Sequence, residues 1–219
     1  MATFIATNHC CAGTTLLFSF SFSFYSLSFS IQPEWETYLG NPRPCLTIPA
    51  LGNTFKAIND LPAEKCSVII FGQDPYPRET SATGIAFFDG EFTEWDQALS
   101  KAPSFRNIIK SALVASGKLP ATAKILELKA AIQANKIVEP SMWFNSTIKN
   151  GVLWLNTALT FSGKEKACLD AHTKFWAPII SFIIQIILCV QAKAPQQKGL
   201  VFVMWGGNAK KLKPIVSFF

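Results

Sequence analysis

The sequence places one carboxylate in a setting that suits catalysis. Asp74 follows the apolar run 68–71 and lies in the segment 72–77, GQDPYP, where the glycine permits a tight turn and the prolines stiffen the backbone. An apolar run rich in β-branched residues predicts a strand that is covered on both faces. Open α/β sheets bind ligands at the carboxyl ends of such strands, so Asp74 is a candidate to accept a proton or orient a water molecule. The alternative is that Asp74 only caps a turn.

Two further apolar runs end in residues that suit a binding site. Residues 151–155 precede Asn156, and residues 200–205 precede Gly206 and Gly207. Because parallel strands end at one edge of a sheet, we expect these residues to lie near the first carboxylate. Asn156 carries an amide that donates and accepts hydrogen bonds, as reading the edge of a nucleobase requires. The alternative is that this asparagine simply ends a strand.

Aromatic and basic side chains extend this candidate constellation. Phe87 lies in residues 83–88, which predict a short strand, and its ring can stack on a planar ligand. Tyr76 supplies a rigid wall, and Lys210 begins a run of basic residues that can meet phosphate groups. Each of these residues also has an ordinary alternative. Phe87 can be a core residue, and the lysines can form a solvated helix face. Their joint occurrence in this order is the stronger signal.

Apolar strands alternate with helical segments along the chain. Ser104 is a natural N-cap for an amphipathic helix that closes near Gly117. Residues 173–190 predict a buried helix rather than a membrane span, because polar residues and a proline interrupt them. The pattern predicts an α/β fold, a three-layer α/β/α sandwich around a largely parallel four-stranded sheet. Whether the last strand is complete stays open.

Composition favours one folded domain with an anionic partner. The chain has 219 residues, of which 49% are hydrophobic and 16% charged, and its net charge is +6. We predict a single domain over residues 31–219. The Phe/Ser-rich leader, residues 1–30, is predicted to lie outside this domain. The alternative is that the leader targets an organelle; without it, the cytoplasm or nucleus is the expected compartment. The positive charge modestly favours nucleic acid as the partner.

Cysteine and histidine usage predicts no metal site, no cofactor and no disulfide framework. The six cysteines are scattered apart from one adjacent pair, and no CxxC motif occurs. Only two histidines are present, and His172 is the one within the predicted domain. A catalytic base is one interpretation of His172, whereas a histidine at a helix start or on the surface is favoured.

Five segments, taken in order, resemble the ubiquitous family of uracil-DNA glycosylases. The first resembles the family's water-activating motif, although Pro77 stands where many members carry histidine. The others resemble the stacking-phenylalanine segment, the Pro-Ser loop, the uracil-reading strand and a Trp-Gly turn. The five segments are 72–77, 83–87, 102–107, 151–160 and 201–211.

The resemblance implies an enzyme that flips deoxyuridine out of DNA and hydrolyses its N-glycosidic bond. Asp74 would stabilise an oxocarbenium-like sugar and position the attacking water. Phe87 would stack on uracil, Asn156 would reject cytosine, and Tyr76 would exclude thymine. Gln73 would offer backbone contacts to the uracil anion. A further set of residues would contact the DNA backbone: Pro103, Ser104, Gly206, Gly207 and Lys210.

The resemblance also sets expectations for activity and partners. The family has a His-Pro-Ser-Pro-type loop whose histidine donates to the uracil oxygen, and the 219 residues contain no such loop. We therefore expect a truncated member with reduced or lost activity. The alternative is a catalytically inactive nucleic-acid-binding module of the same fold. The implied partner is uracil-containing DNA, either single- or double-stranded. The protein is expected to be a monomer whose folded domain does not contact a membrane.

Overall fold

The computed structural model describes residues 3–7, 17–22, 25–30, 36–40, 43, 46–193, 199–210 and 212–213. The alternating Phe/Ser leader forms an antiparallel sheet of its own, in the order β1 (Thr3–Thr7), β2 (Leu17–Phe22) and β3 (Tyr25–Ser30). Alternation with a period of two suits extended backbone. That residues 1–30 lie outside the folded domain stays a prediction.

The remaining described strands form a separate, parallel sheet. Its strands are β4 (Val68–Gly72), β5 (Val152–Asn156) and β6 (Val201–Met204), in the spatial order β5-β4-β6. Both edges of β4 are therefore paired, which agrees with its apolar run. The predicted α/β class is confirmed. The described residues form three parallel strands, however, not the four that were predicted.

Helices follow each strand of the parallel sheet, and two segments of the described chain differ from the sequence predictions. Residues 83–88 form a turn rather than the predicted strand. The helix predicted to have Ser104 as its N-cap begins at Pro103, so Ser104 lies within its first turn. The helices are α1 (Glu36–Leu39), α2 (Lys56–Asn59), α3 (Trp95–Lys101), α4 (Pro103–Ala115), α5 (Ile125–Ala134), α6 (Pro140–Lys149), α7 (Lys166–Ala192) and α8 (Gly206–Lys210), with short 3₁₀ helices at Leu51–Asn53 and Ala63–Lys65.

The longest helix, α7, packs one face into the main core. It begins at Lys166 rather than at the predicted residue 173, and it runs for 27 residues. Its buried side chains recur at helical spacing, and Trp176, Ile180 and Ile184 are fully buried. By length and hydropathy alone α7 would also be long enough to cross a membrane. One face of α7 is buried in the core, and that the helix does not span a membrane stays a prediction.

Aromatic packing holds strand β5 against the helices beneath it. Trp154 of β5 is buried, and its ring lies 5.1 Å from that of Phe144 on α6, which in turn lies 4.8 Å from Phe105 on α4. The Trp154 indole N–H donates to Thr147 Oγ1 at 2.9 Å. A buried indole with a satisfied N–H anchors the strand, and the strand in turn sets the position of its carboxyl end.

Candidate active site

The carboxyl ends of β4 and β5 remain hydrogen-bonded to each other beyond the sheet. Gly72 pairs with Asn156 in the parallel register. The next residues continue the contact, because Thr157 N–H donates to the Gly72 carbonyl at 3.0 Å and Ala158 N–H donates to the Gln73 carbonyl at 2.9 Å. Thr157 Oγ1 donates to the same Gln73 carbonyl at 2.9 Å. The two segments that carry the predicted site residues are thus joined as one unit.

Gly72 lies where three segments approach too closely for a side chain. A Cβ atom at this position would overlap Asn156 Oδ1 and would lie only 2.8 Å from Ala86 Cβ. The glycine is therefore required by the close approach of neighbouring groups. This approach brings the Asn156 amide and the 83–88 turn to the base of the Asp74 segment.

Asp74 is a half-buried carboxylate with one polar neighbour on the adjacent residue. The Gln73 Nε2 amide donates to Asp74 Oδ2 at 3.3 Å. Burial raises the pKa of Asp74 above its ordinary value, and the hydrogen bond from Gln73 partly offsets this rise. A carboxylate in such a setting is a stronger base than one in water. Its attraction for a nearby positive charge is also less weakened by solvent.

Tyr76 and Phe87 lie together and bring the 83–88 turn to the site. The Tyr76 hydroxyl donates weakly to the Phe87 carbonyl at 3.5 Å. Burial, followed by the charge of Asp89, raises the pKa of Tyr76 to about 12, so its hydroxyl stays neutral. Phe87 has a φ of +63°, a left-handed conformation that is uncommon for a residue with a side chain. Ala86 N–H donates to the Trp154 carbonyl at 3.2 Å and thus ties this turn to β5.

A cavity of about 150 Å³ opens beside Asp74. Its lining includes two predicted site residues, Gln73 and Asp74, but not Tyr76, Phe87 or Asn156. The other lining residues come from the segment after β5 and from the first turns of α7: Ala158, Thr160, Lys166, Leu169, Asp170, His172 and Thr173. Asn156 and the Tyr76–Phe87 pair thus lie near the Asp74 segment at one sheet edge, but the cavity itself is lined by Gln73 and Asp74.

His172 is the lining residue whose position the sequence interpretation missed. It is only 3% exposed, so the predicted surface position is wrong. Its Nδ1 lies 2.8 Å from Thr160 Oγ1, and its Nε2 lies 2.8 Å from Ser162 Oγ. Burial, with a smaller contribution from Arg43, lowers the pKa of His172 to about 4. Its spacing from Trp176 and Ile180 on one helix face was the available signal.

The residues predicted to meet the DNA backbone lie on exposed surface. Gly206 and Gly207 are exposed at the start of α8, and Gly206 has a left-handed φ of +81° that favours glycine. The preceding Trp205 lies edge-on to Phe87 at 6.4 Å, which brings this turn near the site. Lys210, Pro103 and Ser104 are also exposed. Among the described residues, no hydrogen bond or ring contact joins Ser104 to Asp74.

Comparisons with known proteins agree with this geometry. No protein-family model matches the chain. A curated uracil-DNA glycosylase of Oleidesulfovibrio alaskensis is 30% identical over 171 residues, which cover 77% of this chain and 62% of the relative. The wild-type UNG crystal structure from Nitratifractor salsuginis superposes with a TM-score of 0.64 at 29% identity, covering 83% of this chain and 70% of that one. The chain is similar to uracil-DNA glycosylases in sequence and in fold. The resemblance predicted from the motifs is thereby confirmed.

The likeness to uracil-DNA glycosylases extends over much of the described fold. The enzyme of Streptococcus mutans is 29% identical over 170 residues, again covering 77% of this chain and 62% of the relative. Mimivirus uracil-DNA glycosylase shares the fold at 22% identity, with a TM-score of 0.52. This chain spans about 62% of the length of the bacterial relatives described here. The predicted reduction or loss of activity stays a prediction.

Proposed function

We propose that the chain is a DNA-repair glycosylase that hydrolyses the N-glycosidic bond of a deoxyuridine flipped out of DNA. The observation that carries this proposal is the convergence of Asp74, Asn156 and the Tyr76–Phe87 pair at one sheet edge. A carboxylate, an amide and two aromatic rings are the groups that cleavage at a sugar and recognition of a pyrimidine require. The likeness to uracil-DNA glycosylases supports uracil as the base.

Asp74 is assigned to the sugar and the water. The C1′–N1 bond breaks with its electron pair leaving on uracil N1, and the sugar becomes an oxocarbenium ion. The half-buried Asp74 carboxylate stabilises this cation, because solvent weakens their attraction less than it would at an exposed site. Water then attacks C1′, and its proton passes to the carboxylate, whose raised pKa makes it the better base.

Recognition of the base is assigned to the residues around Gly72. Asn156 is only 5% exposed, so a base that fails to pair with its amide leaves a buried polar group unsatisfied. Phe87 stacks on the ring, and the neutral Tyr76 occupies the space of a thymine methyl group. The Gln73 carbonyl already accepts two hydrogen bonds. We therefore assign its N–H, which has the right polarity for an anion, to the departing uracil.

The DNA backbone is assigned to the exposed surface around this site. The first turn of the 13-residue helix α4 has N–H groups without partners inside the helix, a setting that favours phosphate. Pro103 and Ser104 begin that turn, and the exposed Lys210 at the end of α8 adds a cation. The net charge of +6 supports an anionic partner. A monomer acting on single- or double-stranded DNA is part of the proposal.

A four-stranded, three-layer α/β/α sandwich is the fold expected for this activity. Strand β6 is an edge strand among the described residues, and Val201 is 57% exposed. An exposed apolar edge strand is where a further strand can pair.

The test measures uracil release from a uracil-containing oligonucleotide and binding to two duplexes. Asp74→Asn is expected to lower release by about 10²–10⁴-fold, the usual contribution of a group that transfers a proton. Asp96→Asn is the matched control, since Asp96 lies on α3 in an exposed ion pair with Lys129. A duplex with an abasic-site analogue is expected to bind more tightly than a plain duplex.

Two outcomes separate the candidate functions. Preference for the abasic duplex without any uracil release would favour the inactive binding module. Undiminished release by Asp74→Asn would contradict the assignment of the carboxylate.

A further inference from the structure

We propose that His172 is a positioning residue for Asp74, which it holds through the segment 157–162. The proposal rests on the proposed function, since it names the residue behind the carboxylate of that site. His172 and Asp74 line the same cavity, yet they lie on different elements, α7 and the turn after β4. The connection between them runs through Thr160, which also lines that cavity.

The hydrogen bonds around His172 form a chain with a defined direction. The Trp176 indole N–H can only donate, and it donates to Thr160 Oγ1 at 2.6 Å. Thr160 is fully buried and its Oγ1 lies 2.8 Å from His172 Nδ1, so we assign its hydroxyl proton to that nitrogen, which satisfies the buried O–H. Nδ1 is then the acceptor, so the histidine carries its proton on Nε2 and donates it to Ser162 Oγ at 2.8 Å. One tautomer and one ring orientation satisfy all four groups.

The segment held by this chain is also the one that holds the Asp74 backbone. At its near end, Thr157 and Ala158 donate to the Gly72 and Gln73 carbonyls, directly before Asp74. At its far end, Phe161 exchanges two backbone hydrogen bonds of 2.8 Å with Ile48. Thr160 lies between these two attachments. A shift of Thr160 therefore displaces residues that bear directly on the turn carrying the carboxylate.

The use of a histidine at this position is informative, because an apolar side chain would fill the same space without needing partners. A buried imidazole is stabilising only when its nitrogens are hydrogen-bonded, and both nitrogens of His172 are. The Tyr38 ring packs edge-on against the imidazole at 4.9 Å, which limits its rotation. A group restrained on several sides can hold a reactive neighbour to within the narrow geometric range that catalysis requires.

The test uses two DNA duplexes that differ in one charge at the sugar. One carries a neutral tetrahydrofuran abasic analogue, and the other carries a pyrrolidine analogue whose ammonium mimics the oxocarbenium charge. The ratio of their affinities reports the attraction between Asp74 and the sugar cation, because the remaining contacts are shared. This readout does not require turnover. Asp74→Asn is the reference and is expected to reduce the ratio towards one.

Paired variants separate the hydroxyl–imidazole bond from the space it occupies. His172→Leu and Thr160→Val remove the bond, and each is expected to lower the ratio about tenfold, as the loss of one well-placed hydrogen bond would. His172→Asn and Thr160→Ser keep a partner at the same position and are expected to restore most of the ratio. Ser181→Ala is the matched control and is expected to leave the ratio unchanged, because its hydroxyl on α7 donates to the Ala177 carbonyl of the same helix at 2.8 Å.

The outcomes distinguish positioning from simple stabilisation. A lower melting temperature with an unchanged ratio in Thr160→Val and His172→Leu would overturn the proposal and leave His172 as a core residue. Should His172→Leu not fold, the Thr160→Val and Thr160→Ser pair decides alone. If Asp74→Asn itself leaves the ratio unchanged, the proposed function fails, and with it the role assigned here.

Discussion

The stability of the protein is expected to depend on pH through His172. Burial, with a smaller contribution from Arg43, lowers the pKa of this histidine from 6.5 to about 4 in the folded protein. The unfolded chain regains the ordinary pKa, so between these two values it binds more protons than the folded protein does. The stabilisation from the neutral histidine is therefore complete above pH 6.5 and is lost as the pH falls towards 4.

The size of this effect follows from the two pKa values. At about pH 4.5 the folded protein is expected to lose about 2.5 kcal/mol relative to neutral pH through this one group. Asp74, Asp170 and Lys166 also line the cavity beside His172, and all three are present in the wild type and in a His172 variant. The prediction therefore concerns the difference in the free energy of unfolding between the wild type and a His172 variant, because both proteins contain those groups.

Urea unfolding of the wild type and of His172→Asn, measured from about pH 7.5 to about pH 4.5, provides that difference. The variant is expected to be less stable at neutral pH, because an amide replaces only one of the two imidazole hydrogen bonds. Its deficit should shrink by about 2.5 kcal/mol as the pH falls. If the two free energies of unfolding fell in parallel, the reasoning would be refuted, because His172 would then not be buried in its neutral form.

Three further substitutions test the site and the core. Gly72→Ala is expected to displace the Asn156 amide, because the new Cβ would overlap the amide oxygen. It should reduce uracil release far more than the control Gly52→Ala, since a Cβ at Gly52 would have no heavy atom within 4 Å. Tyr76→Ala is expected to permit release of thymine from a normal oligonucleotide, whereas Tyr76→Phe should not, because the ring remains. Ile180→Ala removes a fully buried side chain and is expected to cost about 2–5 kcal/mol in the free energy of unfolding, measured by urea titration.

Local patterns were enough to predict the Asp74 turn and the elements that hold it. An uninterrupted apolar run followed by glycine and proline leaves few conformations open, so β4 and the Asp74 turn were predictable from neighbouring residues alone. The same holds for Asn156 at the end of β5 and for the long apolar helix α7. These features depend on residues that are close in sequence.

Other features depend on side-chain contacts that no local pattern specifies. Residues 83–88 have the composition of a strand, yet Thr83 Oγ1 accepts from Ile85 N–H and donates to the Phe88 carbonyl at 2.9 Å. Such bonds compete with sheet pairing, and Phe87 adopts a left-handed backbone instead. The turn is therefore set by a few specific hydrogen bonds rather than by average propensity.

By itself, the sequence determined which groups are available for chemistry and that they end strands of an α/β fold. Only the tertiary structure decided that β4 lies between β5 and β6, because strand order is set by packing between segments far apart in the chain. It also decided that His172, which lies near polar residues such as Asp170 and Thr173 in the sequence, is buried on the inward face of α7. There burial, with a smaller contribution from Arg43, lowers the pKa of the imidazole and keeps it neutral beside the Asp74 cavity.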